Sequence, residues 1–180
     1  ITDFGFNLSA TFKISQKRED IDYVSELICA IFIIKIGLAL VFLVGVLLYG
    51  YFIGFGPGRY MLSFYIGVNV LVQAFLPIWF FQGIERMKSV TIYMLIAKLA
   101  YILLVFSFIK EKTDVELVIL FYALSNFIAV LIAIILIYKN GYSIKKPTKV
   151  RVTEVFKYSS QFFLSRAAVS IYTSASTFLV

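Results

Sequence analysis

Histidine is absent from the 180 residues of this chain, and cysteine occurs once, as Cys29. A single cysteine excludes an intrachain disulfide and a cysteine-rich metal site, and the lack of histidine excludes a histidine-based metal site or catalytic triad within this sequence. Acidic residues are also scarce, with 10 Asp and Glu against 17 Lys and Arg. None lies well inside the long apolar stretches, so a carboxylate or histidine proton relay would need Asp3 or residues outside this sequence.

Apolar side chains are abundant: 61% of the residues are hydrophobic and the mean hydropathy is +0.93. A soluble domain of this size is far more polar, and in such a chain the excess of cations gives no reason to expect a nucleic-acid partner. A transmembrane helix needs about 20 apolar residues. We therefore predict an all-α, polytopic helical membrane protein with about five transmembrane helices. The predicted spans are 27–49, 60–81, 90–109, 115–138 and a fifth that opens at Phe156.

The loops between these spans alternate in charge. One set of loops carries ten cations and the other carries three, so the positive-inside rule places the first set in the cytoplasm. Short loops make successive helices antiparallel neighbours, which predicts a helical bundle. The first set is Lys13, Lys17, Arg18, Arg86, Lys88, Lys139, Lys145, Lys146, Lys149 and Arg151, and the second is Arg59, Lys110 and Lys112.

The fifth span carries a cation near its middle. Ser159, Arg166, Ser170, Thr173 and Thr177 are spaced by seven, four, three and four residues, which puts them on one helix face. An arginine at bilayer depth costs roughly 2.5–3.5 kcal/mol even on the lenient insertion scale, so it normally faces other helices or a wet cavity. We expect the stripe to line a cavity. The alternative is a structural bond from the arginine to backbone carbonyls of a neighbouring helix.

The sequence leaves two possible roles open for each of the other polar residues inside the spans. Lys35 and Lys98 lie about eight residues, or roughly 12 Å, from the cytoplasmic ends of their helices. They either extend to the headgroups or line the same cavity. Asn69 and Gln73 share a face of the second span, and Asn126 lies on the fourth. These amides either form hydrogen bonds between helices or add to the polar lining.

Catalysis has little support in the sequence. Asp20 and Asp22 form an Asp-x-Asp pair, which can hold a divalent metal on a nucleotide sugar, but they lie in a mixed-charge run typical of a solvated face. No phosphate-binding loop and no Ser–His arrangement occurs. We expect no enzyme activity, no cofactor and no metal, and the alternative of a membrane glycosyltransferase or polymerase depends on this one pair.

Three stretches resemble one family of transporters. They are Asp3–Thr11 (DFGFNLSAT), Pro77–Lys88 (PIWFFQGIERMK) and Phe162–Thr173 (FFLSRAAVSIYT). With the order of spans they resemble the Wzx-type lipid-linked oligosaccharide flippases of polysaccharide biosynthesis, in the multidrug/oligosaccharidyl-lipid/polysaccharide exporter superfamily. The resemblance implies a protein of about twelve helices in two bundles. This sequence would then be an internal fragment that runs from the end of helix two into helix seven.

On this resemblance, residues 1–138 are a partial N-terminal bundle, 139–155 a cytoplasmic linker and 156–180 the start of the C-terminal bundle. The implied function is to flip undecaprenyl-diphosphate-linked oligosaccharides across the bacterial inner membrane for O-antigen or capsule synthesis, by alternating access. A polysaccharide polymerase and chain-length machinery are candidate partners beside the lipid bilayer. A multidrug exporter of the same superfamily is the alternative, although spans that carry only cations argue against cationic drugs.

The polar residues inside the spans and the family resemblance together predict a binding site for the lipid-linked sugar. We expect the cavity cations to bind the diphosphate, the polar residues to line the cavity, and the short loop after Pro77 to couple helix movements. The cations are Arg166, Lys35 and Lys98; the lining residues are Ser159, Ser170, Thr173, Asn69, Gln73 and Asn126; the coupling residues are Glu85 and Arg86.

Overall fold

The protein is all-α in the computed structural model, which describes residues 4–53, 57–110 and 115–179. Within those ranges the chain forms seven helices and no strand. Asp3 of the first motif and Lys112 of the outer loops lie outside the described residues, as does the side chain of Thr177. The helices are α1 (Phe6–Gln16), α2 (Ile21–Ile53), α3 (Pro57–Ala74), α4 (Ile78–Gly83), α5 (Met87–Phe108), α6 (Val115–Lys139) and α7 (Lys149–Leu179).

Four segments of the described chain are long and apolar enough to cross a membrane. They have 22 to 30 residues each, against about 20 that a span requires, which confirms an all-α polytopic membrane protein. The fifth predicted span is not among them. It lies in α7, a continuous helix of 31 residues. The apolar sequence of this helix is interrupted by Arg166 and by several serines and threonines. The four segments are Ile21–Gly50, Met61–Gly83, Met87–Phe108 and Glu116–Lys139.

Two boundaries differ from the prediction. The linker expected at 139–155 is shorter, because α7 begins at Lys149. The Thr148 hydroxyl accepts a hydrogen bond from the Arg151 N–H at 3.3 Å, which is the usual N-cap arrangement. The span expected at 60–81 is broken, since α3 ends at Ala74 and α4 begins at Ile78. Pro77 lies in the break and has no N–H to continue the helix.

The loops predicted to share the cytoplasmic face do meet at one end of the molecule. Arg18 forms an ion pair of 2.9 Å with Glu85, and Arg86 donates a hydrogen bond to the Asn140 side chain. The Tyr142 hydroxyl donates to the Arg18 carbonyl at 3.1 Å. These contacts join the loops after α1, α4 and α6, as an antiparallel arrangement of the helices requires.

Helix α1 packs between α4 and α7. Its face toward α4 buries Phe6 and Ile14 completely, beside the fully buried Trp79. Gly83 makes this packing close, because a Cβ atom there would lie 2.6 Å from the Cβ of Ile14. The outer part of α2 is different, since most of its described large apolar side chains from Leu40 onward are exposed, as lipid contact permits. The tightly packed core therefore lies at the end of the bundle where the loops meet.

Candidate functional site

An open groove lies between the start of α1 and the middle of α7. It has a volume of about 850 Å³. Its walls are apolar apart from a short polar strip on α7. The lining residues that carry the argument are Phe4, Gly5, Leu8, Phe163, Arg166 and Ser170.

Gly5 lines this groove where α1 and α7 approach each other closely. Its φ is +75°, a left-handed conformation that glycine adopts without steric cost. A Cβ atom at this position would lie 2.8 Å from the Ser159 carbonyl oxygen and 3.0 Å from the Phe163 nitrogen. The backbones of α1 and α7 can therefore approach each other only because a glycine stands here.

An aromatic stack forms one wall. The Phe4 ring stacks on Phe156 and on Phe163, with ring centroids 5.3 and 5.1 Å apart. Offset stacking of this kind contributes about 0.5–1.5 kcal/mol beyond burial. The stack holds the turn before α1 against α7 and so fixes the position of this wall.

Arg166 lines the groove and its side chain is exposed. Among the described side chains it takes part in no ion pair. Ser170 lies one turn further along α7, is also exposed and lines the same groove. A guanidinium with five donors and no carboxylate bound to it can receive an anion through two parallel hydrogen bonds.

The rest of the predicted polar stripe divides into two groups. Ser159 is buried, and its hydroxyl forms a hydrogen bond of 2.8 Å with the Ser9 hydroxyl of α1. Thr173 is exposed, and its hydroxyl donates to the Val169 carbonyl of its own helix at 2.9 Å. Ser159 therefore fastens α1 to α7 rather than lining a cavity, and the exposed part of the stripe begins at Arg166.

Lys35 is buried and does not line the groove of Arg166. Only 3% of its surface is exposed. Its ammonium donates to the Ala74 carbonyl at 2.5 Å and lies 5.6 Å from the centre of the Phe6 ring and 5.9 Å from that of Trp79. Neither reading of the sequence expected this arrangement, in which a buried lysine satisfies the end of a neighbouring helix.

Lys98 lies in a third environment, different from those of Arg166 and Lys35. It is exposed on α5, and its ammonium is 4.5 Å from the centre of the Tyr122 ring on α6 and 3.3 Å from the Tyr122 hydroxyl oxygen. The groove that contains Arg166 includes neither Lys98 nor Lys35. The three cations predicted to share one cavity thus occupy three different environments.

None of the three amides predicted to line the cavity lines the groove that contains Arg166. Gln73 donates to the Asn69 side chain at 2.8 Å within α3, so this bond lies within one helix and not between two. Asn126 is buried on α6, and its side-chain nitrogen has no hydrogen-bond acceptor in the described part of the chain. A buried unsatisfied donor of this kind is unusual, and it lies away from the groove.

Glu85 and Arg86 occupy a tight turn at the end of α4. The Arg86 N–H bonds to the Phe81 carbonyl at 2.8 Å and the Glu85 N–H to the Gln82 carbonyl at 3.1 Å, a Schellman motif. Glu85 takes the left-handed position of this motif, with φ +58°, where glycine is usual. The same motif ends α6 with Gly141 at φ +85°. The loop is therefore rigidly built, and its two charged side chains are tied to neighbouring loops.

Asp20 and Asp22 do not converge on a metal. The Asp20 side chain accepts from the Tyr23 N–H at 2.9 Å, which caps the start of α2. Asp22 forms an ion pair with Lys145 at 2.5 Å. In the part of the chain that the structure describes, no group of three or more Asp, Glu, His or Cys residues is placed to hold a metal ion.

Sequence reasoning missed the ion-pair cluster that joins α7 to α1 and α2. Lys13 pairs with Glu154 at 2.8 Å, and Arg151 pairs with Glu154 at 3.0 Å and with Glu26 at 3.4 Å. Arg151 also stacks on the Tyr23 ring at 4.5 Å. Apart from Arg151 and Glu154, which are three positions apart on α7, the contacts join residues more than 100 positions apart. Only the predicted placement of their loops on the same side of the membrane could have indicated them.

Comparison with known proteins identifies the family to which the chain belongs. The sequence profile of the polysaccharide biosynthesis protein family matches residues 1–180. Two curated proteins, provisionally named O-antigen transporter, are similar: one from Escherichia coli K12 is 28% identical over 96% of this chain, and one from Shigella dysenteriae is 33% identical over 96%. The chain spans 42% and 43% of their lengths, less than half of each. No solved structure matches it.

Proposed function

The chain belongs to the polysaccharide biosynthesis protein family, and on that premise we propose that it is part of a lipid-linked oligosaccharide flippase. The transporter would move an undecaprenyl-diphosphate-linked sugar unit from the cytoplasmic to the outer leaflet of the bacterial inner membrane. No covalent bond changes in this process. The cargo, the mechanism and the membrane are those that a whole transporter would have, of which this chain forms one part.

The observation that carries the proposal is the exposed Arg166 in an otherwise apolar groove. A diphosphate has about two negative charges that cannot enter hydrocarbon without replacement of their hydration. The planar guanidinium fits phosphate oxygens through paired hydrogen bonds. Ser170 adds a hydroxyl on the same side, and Phe4 and Phe163 give the groove an apolar aromatic wall. The lipid tail can remain in the bilayer while the sugar passes through the groove.

Alternating access supplies the movement. In transporters built from two halves, one half rocks against the other around a central site. The groove lies where α1, from the first bundle, meets α7, which by the resemblance opens the second. A site at that boundary opens and closes when the halves move, which suits a groove that accepts cargo on one side and releases it on the other.

A drug exporter of the same superfamily is the second candidate. It would transport organic cations, which prefer aromatic walls with carboxylates. The groove has the aromatic wall but carries a cation and, among the described residues that line it, no carboxylate, so electrostatics favour an anionic cargo. An enzyme is less well supported, because Asp20 caps a helix and Asp22 is paired with Lys145.

The experiment that tests the function uses the full-length transporter in lipid vesicles. A short-chain polyprenyl-diphosphate oligosaccharide is incorporated in both leaflets, and the fraction accessible to an added glycosidase is followed with time. We expect the full-length protein to raise the accessible fraction above one half, and a diphosphate analogue to inhibit while a lipophilic cation does not. Transport of the lipophilic cation without movement of the lipid-linked sugar would overturn the proposal.

Orientation is tested separately by fusion of a topology reporter. Because the loops with ten cations are expected in the cytoplasm, a reporter after Arg86 or Lys146 should be cytoplasmic and one after Gly56 periplasmic. A periplasmic signal after Lys146 would reverse the orientation and with it the proposed direction of transport.

A further inference from the structure

The segment Met61–Gly83 is one candidate membrane span, yet its helix is interrupted. Helix α3 ends at Ala74 and α4 starts at Ile78. At the end of α3 the bonds tighten, with the Phe75 N–H on the Val72 carbonyl at 3.1 Å and the Leu76 N–H on the Gln73 carbonyl at 3.2 Å. Non-helical backbone in a span persists only where its polar groups find other partners.

Pro77 explains why the helix breaks but not what satisfies the break. In a continuous helix the Ala74 carbonyl would accept from the N–H of residue 78, four positions on. Here the Lys35 ammonium of α2 is the donor to that carbonyl. A cation at the last carbonyls of a helix also complements the negative end of the helix dipole.

Lys35 is enclosed at this position. It is almost fully buried, with the Phe6 ring of α1 and the Trp79 ring of α4 within 6 Å of its ammonium. The lysine therefore contacts both sides of the break, the end of α3 through Ala74 and the first turn of α4 through Trp79. The Thr11 hydroxyl of α1 lies 2.6 Å from the Asn7 carbonyl oxygen of its own helix and 3.1 Å from the Trp79 carbonyl oxygen, so its single proton can serve only one of them at a time.

We propose that Lys35 is a positioning residue that keeps this span broken and thereby sets the direction of α4 and of the Glu85 loop at its end. It acts through the Ala74 carbonyl and not on the cargo. Loss of the ammonium leaves the part-buried Ala74 carbonyl without this donor, which destabilises the broken form of the span. If the span became one continuous helix, the N–H of Ile78 would donate to the Ala74 carbonyl in place of Lys35. The break would then be lost and α4 would turn away from α1.

The test measures the break directly, with two spin labels in the full-length transporter. Phe64 on α3 and Gln82 on α4 are exposed and are replaced by labelled cysteines in a background without other cysteines. An unbroken helix would place their Cα atoms about 27 Å apart. We expect Lys35→Met to shift or broaden the label distance toward that value, and Lys35→Arg to retain the original distance, because arginine can still donate to the carbonyl.

A double variant separates positioning from folding. In Lys35→Met with Pro77→Ala, the N–H of Ile78 can serve the Ala74 carbonyl, so we expect normal abundance, a distance of about 27 Å and export reduced at least tenfold. Unchanged distances in Lys35→Met would overturn the proposal, and so would full export by a double variant with a continuous helix. The distance measurement uses no cargo, so its failure is distinct from a failure of the proposed function.

Discussion

Lys35 and Arg166 are both cations inside apolar helices, and the structure places them in opposite surroundings. Lys35 is buried under two aromatic rings and bonds to a backbone carbonyl. Arg166 is exposed on the wall of an open groove, with no ion pair among the described side chains. The surroundings of Lys35 indicate a structural role, whereas those of Arg166 leave its guanidinium accessible to an anion.

The contrast extends to the regions around them. The end of the bundle where α1 meets α4 is densely packed, with Trp79, Phe80 and Phe81 fully buried. The middle of α7 is largely exposed, and Leu164, Val169 and Ile171 each have more than half of their surface accessible. We therefore expect substitutions in the packed region to lower the amount of folded protein, and substitutions along the groove to lower transport per molecule.

The largest effect on stability is expected for Gly83→Ala in the packed region. The new Cβ would lie 2.6 Å from the Cβ of Ile14, and that atom cannot rotate away. Overpacking of this kind costs about 1–3 kcal/mol, which lowers abundance in the membrane several-fold. Gly37→Ala is the matched control, because nothing lies within 4 Å of its new Cβ. Equal abundance of the two variants would contradict the packed interface between α1 and α4.

A smaller effect distinguishes two serines of the same helical stripe. Ser159→Ala removes the buried hydrogen bond to Ser9 and should reduce stability by about 1 kcal/mol, measured as the thermal midpoint of the purified full-length protein. Ser170→Ala should leave that midpoint unchanged, since its hydroxyl is exposed in the groove. A lower midpoint for Ser170→Ala than for Ser159→Ala would reverse the assignment of the two residues.

Stability at the end of the bundle where the loops meet should also depend on pH through Glu154. The hydrogen bond from Lys13, together with the charges of Lys13 and Arg151, holds the pKa of Glu154 below its ordinary value of 4.5. A lowered pKa in the folded state means that this stabilisation is present above pH 4.5 and is lost as the pH falls below it. The thermal midpoint should therefore fall less between pH 6 and pH 4 in Glu154→Gln than in the wild type. An identical fall in both would show that the pair contributes nothing.

The smallest effect is expected for Glu85→Gly. Glycine relieves the left-handed backbone at φ +58°, worth roughly 1–2 kcal/mol, but the exposed ion pair with Arg18 is lost, worth about 0–1 kcal/mol. Glycine also loses more backbone entropy on folding, about 0.5–1 kcal/mol, so the net gain in stability should be no more than about 1.5 kcal/mol. If the loop couples helix movements, Glu85→Lys should slow export and leave binding of a lipid-diphosphate analogue unchanged. Equal loss of export and binding would place Glu85 in the site.

Helix type and four of the five expected spans could be predicted from the sequence because length and composition determine them, whereas the fifth, in α7, is not among the apolar segments of the described chain. The break before Pro77 could be suspected, but not its consequence, since the donor to Ala74 comes from Lys35, 39 positions earlier. Likewise, helical spacing put Ser159 and Arg166 on one face of α7, but only the position of α1 decides that the first is covered and the second open. Contacts between distant segments are the part that spacing along one helix does not contain.

Export per molecule of Arg166→Ala tests the central claim most directly. The full-length variant is expressed in a deletion strain, and surface polysaccharide is normalised to the amount of transporter in the membrane. We expect normal abundance with export lost, and partial export for Arg166→Lys, because the charge survives while the planar fork is lost. Full export by Arg166→Ala at normal abundance would contradict the account and remove Arg166 from the transport mechanism.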